Sequence, residues 1–491
     1  MTDKSNDIWR ELVFGIARPV GIDRDGFISA LMNELSEYNY ECIPIRLSDL
    51  LGSAYQGDTA DTAHQTEPER IGRLMELGDT LCAEAETGSA VALLGVARIS
   101  IERESRAPDS RRIAYIIDSI KRVDEVTQLK QIYSDHYFQF GLQSSVDKRK
   151  ARLRDQERST TFDKSDGEIE TDVVNIMNRD QREDDTYGQN IMRAFPMSDV
   201  FINTDDDYKQ AIARVMGLLF SSPIYSVPTT EEYGMQLADV SSTRSPELGL
   251  KVGAAILTND RQRVVSMGVN IHPEDRQKSP EFDASKSEIG RLVLDTMKAI
   301  SSEYLSEDAQ KRLADAPDQL TRELISGALR GTKITDLTEF QPTVHAEMSA
   351  LLDAMRDGAS LDDVTMYVTA YPCHGCAKHL VDLRLPVVYL EPYPKSRAAA
   401  MYGNTVDQTF RVFSGIAPWR YQDVFRVGNE DRKTPEGNRK TWTREQKSEA
   451  SPRVSADLTL QLVREREATA VKRLPDPSGG SAVSGSDDTP R

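Results

Sequence analysis

The sequence predicts an α/β protein built from two domains, the first of which has a parallel sheet. Its 491 residues exceed the size of one ordinary hydrophobic core. Residues 10–51 contain a strand, a glycine-containing loop, a helix and a strand, which is the order of a βαβ unit. After a boundary marked by proline and threonine at 221–232, two alternating strands occupy 251–271 and are joined by the turn NDRQ. A second α/β domain therefore opens with a helix (EEYGMQLADVSST), which the hairpin follows.

The rest of the first half continues the alternation of strands and helices. Apolar runs predict buried strands at 89–97 (SAVALLGVA), 111–121 and 137–144, and a last strand within 196–207. Periodic segments between them predict helices. Residues 146–190 are the most charged part of the chain, which favours exposed helices or a mobile lid over core.

The second half continues after its hairpin with a polar and helical insertion at 273–340. Next come a helix (TVHAEMSALLDAM), a strand (VTMYVTA), a helix that starts at two cysteines, and a strand (PVVYLEPY). We therefore assign a first domain at 1–220, a second at 221–409, a C-terminal extension at 410–474 and a disordered tail at 475–491.

The composition of the chain argues against nucleic-acid binding, membrane insertion and a disulfide-stabilised fold. The formal net charge of −18 opposes binding to polyanions, because nucleic-acid binding depends on clustered Lys and Arg. No apolar run has the length of a membrane span, and the N-terminus lacks the order of a signal peptide. We therefore expect a cytoplasmic protein without membrane contact. Four cysteines are too few for a disulfide framework in a chain of this length.

The strongest chemical signal is the stretch TAYPCHGCAKHL, residues 369–380. Cys373 and Cys376 follow a proline there, and such a pair alone fits a redox centre, half of a structural zinc site or part of a catalytic metal site. His345, 28 residues before Cys373, supplies a third ligand at the start of an amphipathic helix, and Glu347 follows it. An H-x-E helix followed by a P-C-x-x-C helix is the signature of zinc deaminases.

This spacing has a chemical reason. Zinc requires thiolates, and a helix N-terminus favours the thiolates of Cys373 and Cys376 while one helical turn presents both sulfurs to one ion. Three protein ligands leave a fourth position for water. Glu347 would stand outside the metal's shell and move protons between the water, the ring nitrogen and the leaving ammonia. We favour this catalytic site over a structural zinc or a redox pair, with His374 and His379 as bystanders.

These motifs resemble the cytidine/deoxycytidylate deaminase superfamily over about residues 241–403. VGAAILTND and VVSMGVN are similar to the strand pair before the H-x-E helix, and YVTAYPCHGCAKHL and VVYLEPYPKSRA are similar to the metal-binding segment and the strand after it. The resemblance implies an α/β/α cytidine deaminase-like fold. It also implies that Asn270 contacts the deoxyribose 3′-hydroxyl and that Gly253 and Ala254 lie near the pyrimidine.

The two-part layout resembles the bacterial anti-phage dCTP deaminases, in which a P-loop kinase-like half precedes the deaminase half. That resemblance implies deamination of dCTP to dUTP, and of dCMP to dUMP, which drains the dCTP pool and starves phage replication. It further implies control by a small regulatory RNA or an inhibitor encoded by an adjacent gene, and a homo-oligomer. Lys395 and Arg397 follow the last strand, where they either reach the substrate's phosphates or lie in a solvated loop.

The first half departs from a working P-loop in one place. In the segment GIARPVGIDRDG, Gly15 and Gly21 are predicted to keep a tight phosphate-binding turn, but Ile22 and Asp23 stand where a P-loop has glycine and lysine. Asp23 would repel a phosphate. We therefore expect a retained fold used for sensing or restraint rather than for nucleotide hydrolysis.

Two other functions compete with a free-nucleotide deaminase. A polynucleotide deaminase, acting on cytosine or adenine in RNA or single-stranded DNA, needs a basic groove with aromatic side chains near the zinc. The second half offers few of either. A non-catalytic zinc module that binds a regulator would not depend on Glu347.

Overall fold

The computed structural model divides into two compact units, Met1–Val227 with Ser414–Arg491, and Pro228–Phe413. Each unit has its own sheet and its own buried core. The residues that the structure describes are 11–54, 66–106, 112–161, 164–181, 188–220, 227–273, 284–300, 302–329, 332–337, 342–390, 398–425, 434–438, 443–454 and 458–475.

The first unit is built on a parallel sheet. Its first strands are β1 (Leu12–Ala17), β2 (Glu41–Arg46), β3 (Ile113–Ile120), β4 (Tyr137–Gln143) and β5 (Val200–Asn203). The helices of this part are α1 (Arg24–Glu37), α2 (Leu47–Ala54), α3 (Glu67–Glu84), α4 (Ala90–Glu104), α5 (Val123–Tyr133), α6 (Val146–Thr160), α7 (Asp166–Gln181), α8 (Ile191–Ala194) and α9 (Tyr208–Leu219). The order β2-β3-β1-β4-β5, with all neighbours parallel, confirms the α/β class and the opening βαβ unit.

Residues 89–97, predicted as a buried strand, form the N-cap and the first half of helix α4 instead. The start of this helix is buried on nearly all sides, because it packs against α2, α3 and α5. Its apolar residues therefore form no one-sided stripe that would indicate a helix. A short apolar run cannot be assigned to strand or helix from periodicity alone.

The charged segment 146–190 contributes to a core, which its composition did not predict. Helices α6 and α7 expose only some of their charges. Leu153, Val173 and Met177 are buried together with Val20 in a small apolar cluster. Because the segment has few apolar positions and many charges, its sequence predicted exposed helices or a mobile lid and not a contribution to a core.

The second unit has a mixed sheet. Its helices are α10 (Thr230–Ser242), α11 (Ala284–Ala299), α12 (Glu307–Asp315), α13 (Pro317–Ser326), α14 (Ala346–Arg356), α15 (His374–Asp382), α16 (Ala398–Tyr402) and α17 (Asn404–Thr409). Its strands are β6 (Gly253–Thr258), β7 (Val264–Val269), β8 (Val364–Val368), β9 (Val387–Tyr389) and β10 (Phe410–Val412). In the order β10-β9-β8-β6-β7, β6 is antiparallel to both neighbours and the other pairs are parallel.

The C-terminal residues return to the first unit. Strand β11 (Gly415–Ile416) pairs antiparallel with β5, and helices α18 (Pro418–Phe425), α19 (Arg444–Glu449) and α20 (Leu460–Val471) follow. From the sequence, residues 410–474 were predicted to form a separate C-terminal extension. In the structure, β10 is the edge strand of the second sheet, and residues from 414 belong to the first unit. Strands of two or three residues carry too little pattern to be predicted. Within the described ranges, no helix combines the length and apolar character that a membrane crossing requires.

A buried ion cluster holds α20 on the first unit. Arg103 donates to Glu467 at 2.6 and 2.9 Å and to Glu11 at 2.8 Å. The Tyr133 hydroxyl donates to Glu467 at 2.9 Å. Glu467 is thus a fully buried charge that depends on these partners.

We expect Glu467→Gln to lower the free energy of unfolding of the first unit by about 2 kcal/mol or more, because Arg103 loses a charged partner in a buried site. Urea unfolding of the full chain measures this change. Glu465→Gln, on the exposed side of the same helix, is the matched control. Equal effects of the two substitutions would contradict the prediction.

Candidate metal centre

Two helices begin at the predicted metal-binding residues. His345 occupies the N-cap of α14, and Cys373 occupies the N-cap of α15. The backbone N–H of Cys376 lies 3.4 Å from Cys373 Sγ and donates to it. Strand β8 carries the chain from α14 to α15. Because a helix N-terminus stabilises negative charge, this placement suits thiolate ligands.

The three side chains converge on one point. His345 Nδ1 lies 3.3 Å from Cys373 Sγ and 3.5 Å from Cys376 Sγ, and the three atoms lie within 4.8 Å of one another. In a tetrahedral zinc site, bond lengths of about 2.1 and 2.3 Å place the nitrogen and sulfur ligands about 3.6 Å apart. The donor set therefore fits zinc. Neither His374 nor His379 belongs to this cluster.

Glu347 lies in the first turn of α14 beside the cluster, and only 4% of it is exposed. Burial raises the pKa of its carboxyl to about 7. Hydrogen bonds with Cys376 and then with His345 lower the pKa of Cys373 to about 3, whereas the contact with Cys373 raises the pKa of Cys376. A buried carboxyl whose pKa lies near neutrality is suited to accept and donate a proton in turn.

The amide of Asn270 is engaged by the backbone before β6. Its Oδ1 accepts from the N–H of Val252 at 2.8 Å, and its Nδ2 donates to the carbonyl of Leu250 at 2.8 Å. Asn270 therefore holds this segment against the end of β7. Its contact with the deoxyribose stays a prediction.

Gly253 and Ala254 begin β6 and are both buried. A Cβ at Gly253 would overlap the carbonyl oxygen of Ala238, so glycine is required for the close approach of α10 to the sheet. Ala254 packs in the core of the second unit. Their position near the pyrimidine stays a prediction. Lys395 and Arg397 lie outside the described residues.

Of the two glycines predicted to form a phosphate-binding turn, only Gly21 lies in the turn between β1 and α1. Gly15 lies inside β1 and not in the loop after it, and the Tyr137 hydroxyl fills the space that a Cβ would need. Gly15 therefore serves strand packing and does not shape a phosphate-binding turn. Gly21 does lie in the turn before α1, with a φ of +84°. Asp23 caps that helix by accepting from the N–H of Gly26 at 3.4 Å.

Glu247 is a neighbour of the metal centre that the sequence did not predict. The hydroxyl of Thr343 donates to Glu247 at 2.9 Å across 96 residues of chain. The hydrogen bond with Cys373 raises the pKa of His345, and the charges of Glu347 and Glu247 act in the same direction. No local pattern could have revealed Glu247, because only the fold brings it to His345.

Known proteins match the second unit. Residues 228–391 match the family described as the cytidine and deoxycytidylate deaminase zinc-binding region. The deoxycytidylate deaminase of enterobacteria phage T4 is 30% identical over 164 residues, which are 33% of this chain and 78% of that protein. ComE operon protein 2 of Bacillus subtilis is 40% identical over 47 residues, which are 10% of this chain and 25% of that protein.

Among solved structures, the dCMP deaminase from cyanophage S-TIM5 in complex with dCMP and dUMP is 17% identical, with a TM-score of 0.23. The match covers 38% of this chain and 98% of that one. His345, Cys373 and Cys376 all lie inside the matched zinc-binding region, and their donor set is one that holds zinc.

Proposed function

The chain belongs to the cytidine and deoxycytidylate deaminase family, and we propose that its second unit deaminates free deoxycytidine nucleotides, converting dCTP to dUTP and dCMP to dUMP. One observation carries this proposal: a buried carboxyl, Glu347, stands beside a cluster of His345, Cys373 and Cys376. The similar phage T4 protein, a deoxycytidylate deaminase, supports the choice of substrate class.

In the proposed mechanism, His345, Cys373 and Cys376 hold zinc. When bound, zinc supplies a Lewis acid that lowers the pKa of a water molecule toward about 7. Glu347 accepts a proton from this water through a carboxylate oxygen and delivers it to N3 of the cytosine ring. The water oxygen forms a bond to C4, and Glu347 takes the remaining proton of this hydroxyl and delivers it to the amino group. The C4–N bond then breaks, ammonia leaves, and C4 keeps the oxygen as a carbonyl. The pKa of Glu347, raised to about 7 by burial, favours both transfers.

Burial of Glu347 also explains why the reaction needs this fold. A carboxyl in water is ionised at neutral pH, so it has no proton to give as a general acid and accepts one only weakly as a base. In the first turn of α14, with 4% exposure, the same group carries a proton more readily. The short distance from Glu347 to His345 along the helix keeps the proton carrier beside the zinc ligands.

The proposed biological role follows from the proposed substrate. Loss of dCTP would starve the DNA synthesis of an infecting phage, and the activity would then serve antiviral defence in the cytoplasm. Such an enzyme must be held back in uninfected cells, for which we propose a small regulatory RNA or an inhibitor from an adjacent gene. Leu352 and Met355 are large apolar side chains exposed on α14, which supports a homo-oligomer.

The test offers purified, zinc-loaded protein three substrates: dCTP, dCMP and a single-stranded cytosine oligonucleotide. We expect deamination of the free nucleotides, measured as released ammonia and as uracil by chromatography. The ratio of kcat/KM for dCTP and dCMP then identifies the preferred nucleotide. Uracil formed only in the oligonucleotide would overturn the proposal and identify a polynucleotide deaminase. Repeating the panel with RNA from the neighbouring locus tests the proposed control.

A further inference from the structure

The first unit contains a cavity of about 290 Å³ at the carboxyl ends of β1, β2 and β3. Pockets for small molecules have volumes of roughly 300–1,000 Å³, so this cavity is of the size of a compact ligand. In open α/β sheets, ligands bind outside the carboxyl ends of strands where the strand order reverses. The sheet grows in both directions from β1, whose following loop forms one wall of the cavity.

The cavity is lined by more basic than acidic side chains. The acidic ones are Asp23, Asp25 and Glu67. The basic ones are Arg18, Arg24, Arg46, Arg70, Lys121, Arg122 and Arg152.

Three of these basic groups are neutralised by buried carboxylates. Arg18 pairs with Asp118 at 2.8 Å, and Lys121 pairs with Asp180 at 2.6 Å. Arg122 pairs with Asp79 and with Glu125, which is fully buried. Arg18, Lys121 and Arg122 line the cavity, but their positive charges are already balanced by these carboxylates.

Arg24, Arg46 and Arg70 each have a partner whose side chain is at least partly exposed. Arg70 donates to both carboxylate oxygens of Glu67 at 2.7 Å, and these two side chains are 38% and 24% exposed. Arg24 shares Asp118 with Arg18 and otherwise pairs with Asp25, whose side chain is 81% exposed. Exposed ion pairs contribute little free energy, so a ligand oxyanion can replace Asp25 beside Arg24 and can compete with the partly exposed Glu67 for Arg70.

Arg46 has the least complete set of partners. Its Nε is buried and makes no hydrogen bond, although Asp49 lies 3.4 Å away with a side chain that is 64% exposed. Burial, and the charges of Arg24 and Arg70, lower the pKa of Arg46. The positive charges of Arg24 and Arg70 thus repel that of Arg46, and all three side chains line the same cavity. An anion bound among them would offset this repulsion.

The other walls restrict the kind of anion. Asp23 occupies the N-terminus of α1 and pairs with Arg152 at 3.1 Å, so the backbone N–H groups there do not cradle a phosphate. An apolar wall faces the cavity, formed by Leu47, Leu51, Ile71, Leu74, Met75 and Val91. This wall suits an apolar or aromatic body attached to the anion.

The geometry points to a binding site for a nucleoside diphosphate or a phosphorylated metabolite of similar size, held by Arg24, Arg46 and Arg70 instead of by a P-loop. The phosphate oxygens pair with the guanidinium groups, because Arg presents its donors in a fork that matches them. The base packs on the apolar wall. This site is independent of the zinc centre and of the deaminase proposal.

The test measures binding of ADP, GDP, UDP and inorganic pyrophosphate to the full-length protein by isothermal titration calorimetry. We expect at least one nucleoside diphosphate to bind once per chain, about tenfold or more tightly than pyrophosphate. Arg46→Gln and Arg70→Gln should each weaken that binding about tenfold or more, the loss expected for a charge-assisted hydrogen bond. Arg158→Gln, at a 54% exposed side chain of α6 outside the cavity, should leave it unchanged.

Unchanged thermal unfolding midpoints without ligand show that the variants fold. If only one variant folds, its affinity decides the test. Failure of all three nucleotides to bind at about 1 mM overturns the proposal. The proposal is also overturned if the nucleoside diphosphates bind no more tightly than pyrophosphate, or if Arg46→Gln and Arg70→Gln both leave the affinity unchanged.

Discussion

Glu347→Gln should lower kcat for deamination of dCMP and dCTP by about a thousandfold or more while the zinc content stays unchanged. Glutamine has nearly the shape of glutamate but cannot carry the proton between water, N3 and the amino group. Glu347 contributes no ligand atom to the metal cluster, so zinc should remain bound. Rates of ammonia release and zinc content by mass spectrometry provide the two readouts.

The matched control is Asp353→Asn on the same helix, where the carboxylate lies near Arg356 and is partly exposed. This variant should keep its activity within about twofold, because surface ion pairs contribute little. If Glu347→Gln kept a tenth or more of the activity, Glu347 would not be the proton carrier. If the Glu347→Gln protein kept its zinc and the full biological effect of the unaltered protein, a non-catalytic zinc module would be favoured.

Cys376→Ala should abolish zinc binding and deamination together. The substitution leaves His345 and Cys373 as the only two members of a three-residue cluster, whereas a catalytic zinc needs three protein ligands. Zinc should fall from about one per chain to less than about a tenth, with activity reduced about a thousandfold or more. The unfolding midpoint of the second unit should fall too, since a metal that binds only the native state stabilises it.

The control for this variant is His379→Ala, three residues further along α15, where the imidazole is exposed and outside the cluster. Its zinc content and activity should match those of the unaltered protein. A Cys376→Ala protein that still bound zinc at full stoichiometry would contradict the ligand assignment. Loss of zinc in His379→Ala would show that the donor set includes this histidine.

The elements around the zinc centre were predictable because their signals are local. The hairpin of β6 and β7, the H-x-E helix α14 and the cysteine helix α15 occur in the predicted order. Helix geometry brings Cys373 and Cys376 to the same helix end, so their spacing already implies a shared ligand. Alternating and helical periodicities span enough residues there to separate strands from helices.

Other parts were not predictable, for separate physical reasons. Residues 89–97 form a helix buried on nearly all sides, and such a helix has no amphipathic pattern to distinguish it from a buried strand. Gly15 serves close packing against Tyr137, although a glycine before a helix also fits a phosphate turn. Residues from 414 join the first unit through contacts with segments hundreds of positions earlier, such as Glu467 with Arg103.

For the metal centre, the residue types and their spacing alone predict which three residues could hold zinc and which carboxyl could carry a proton, because each pair lies within one helical turn or at one helix end. Only the tertiary structure shows how far His345 is from the two sulfurs and how completely Glu347 is buried. It also decides which arginines of the first unit surround a cavity. These properties depend on residues that are distant in sequence, and burial and electrostatic coupling arise only when the fold brings such residues together.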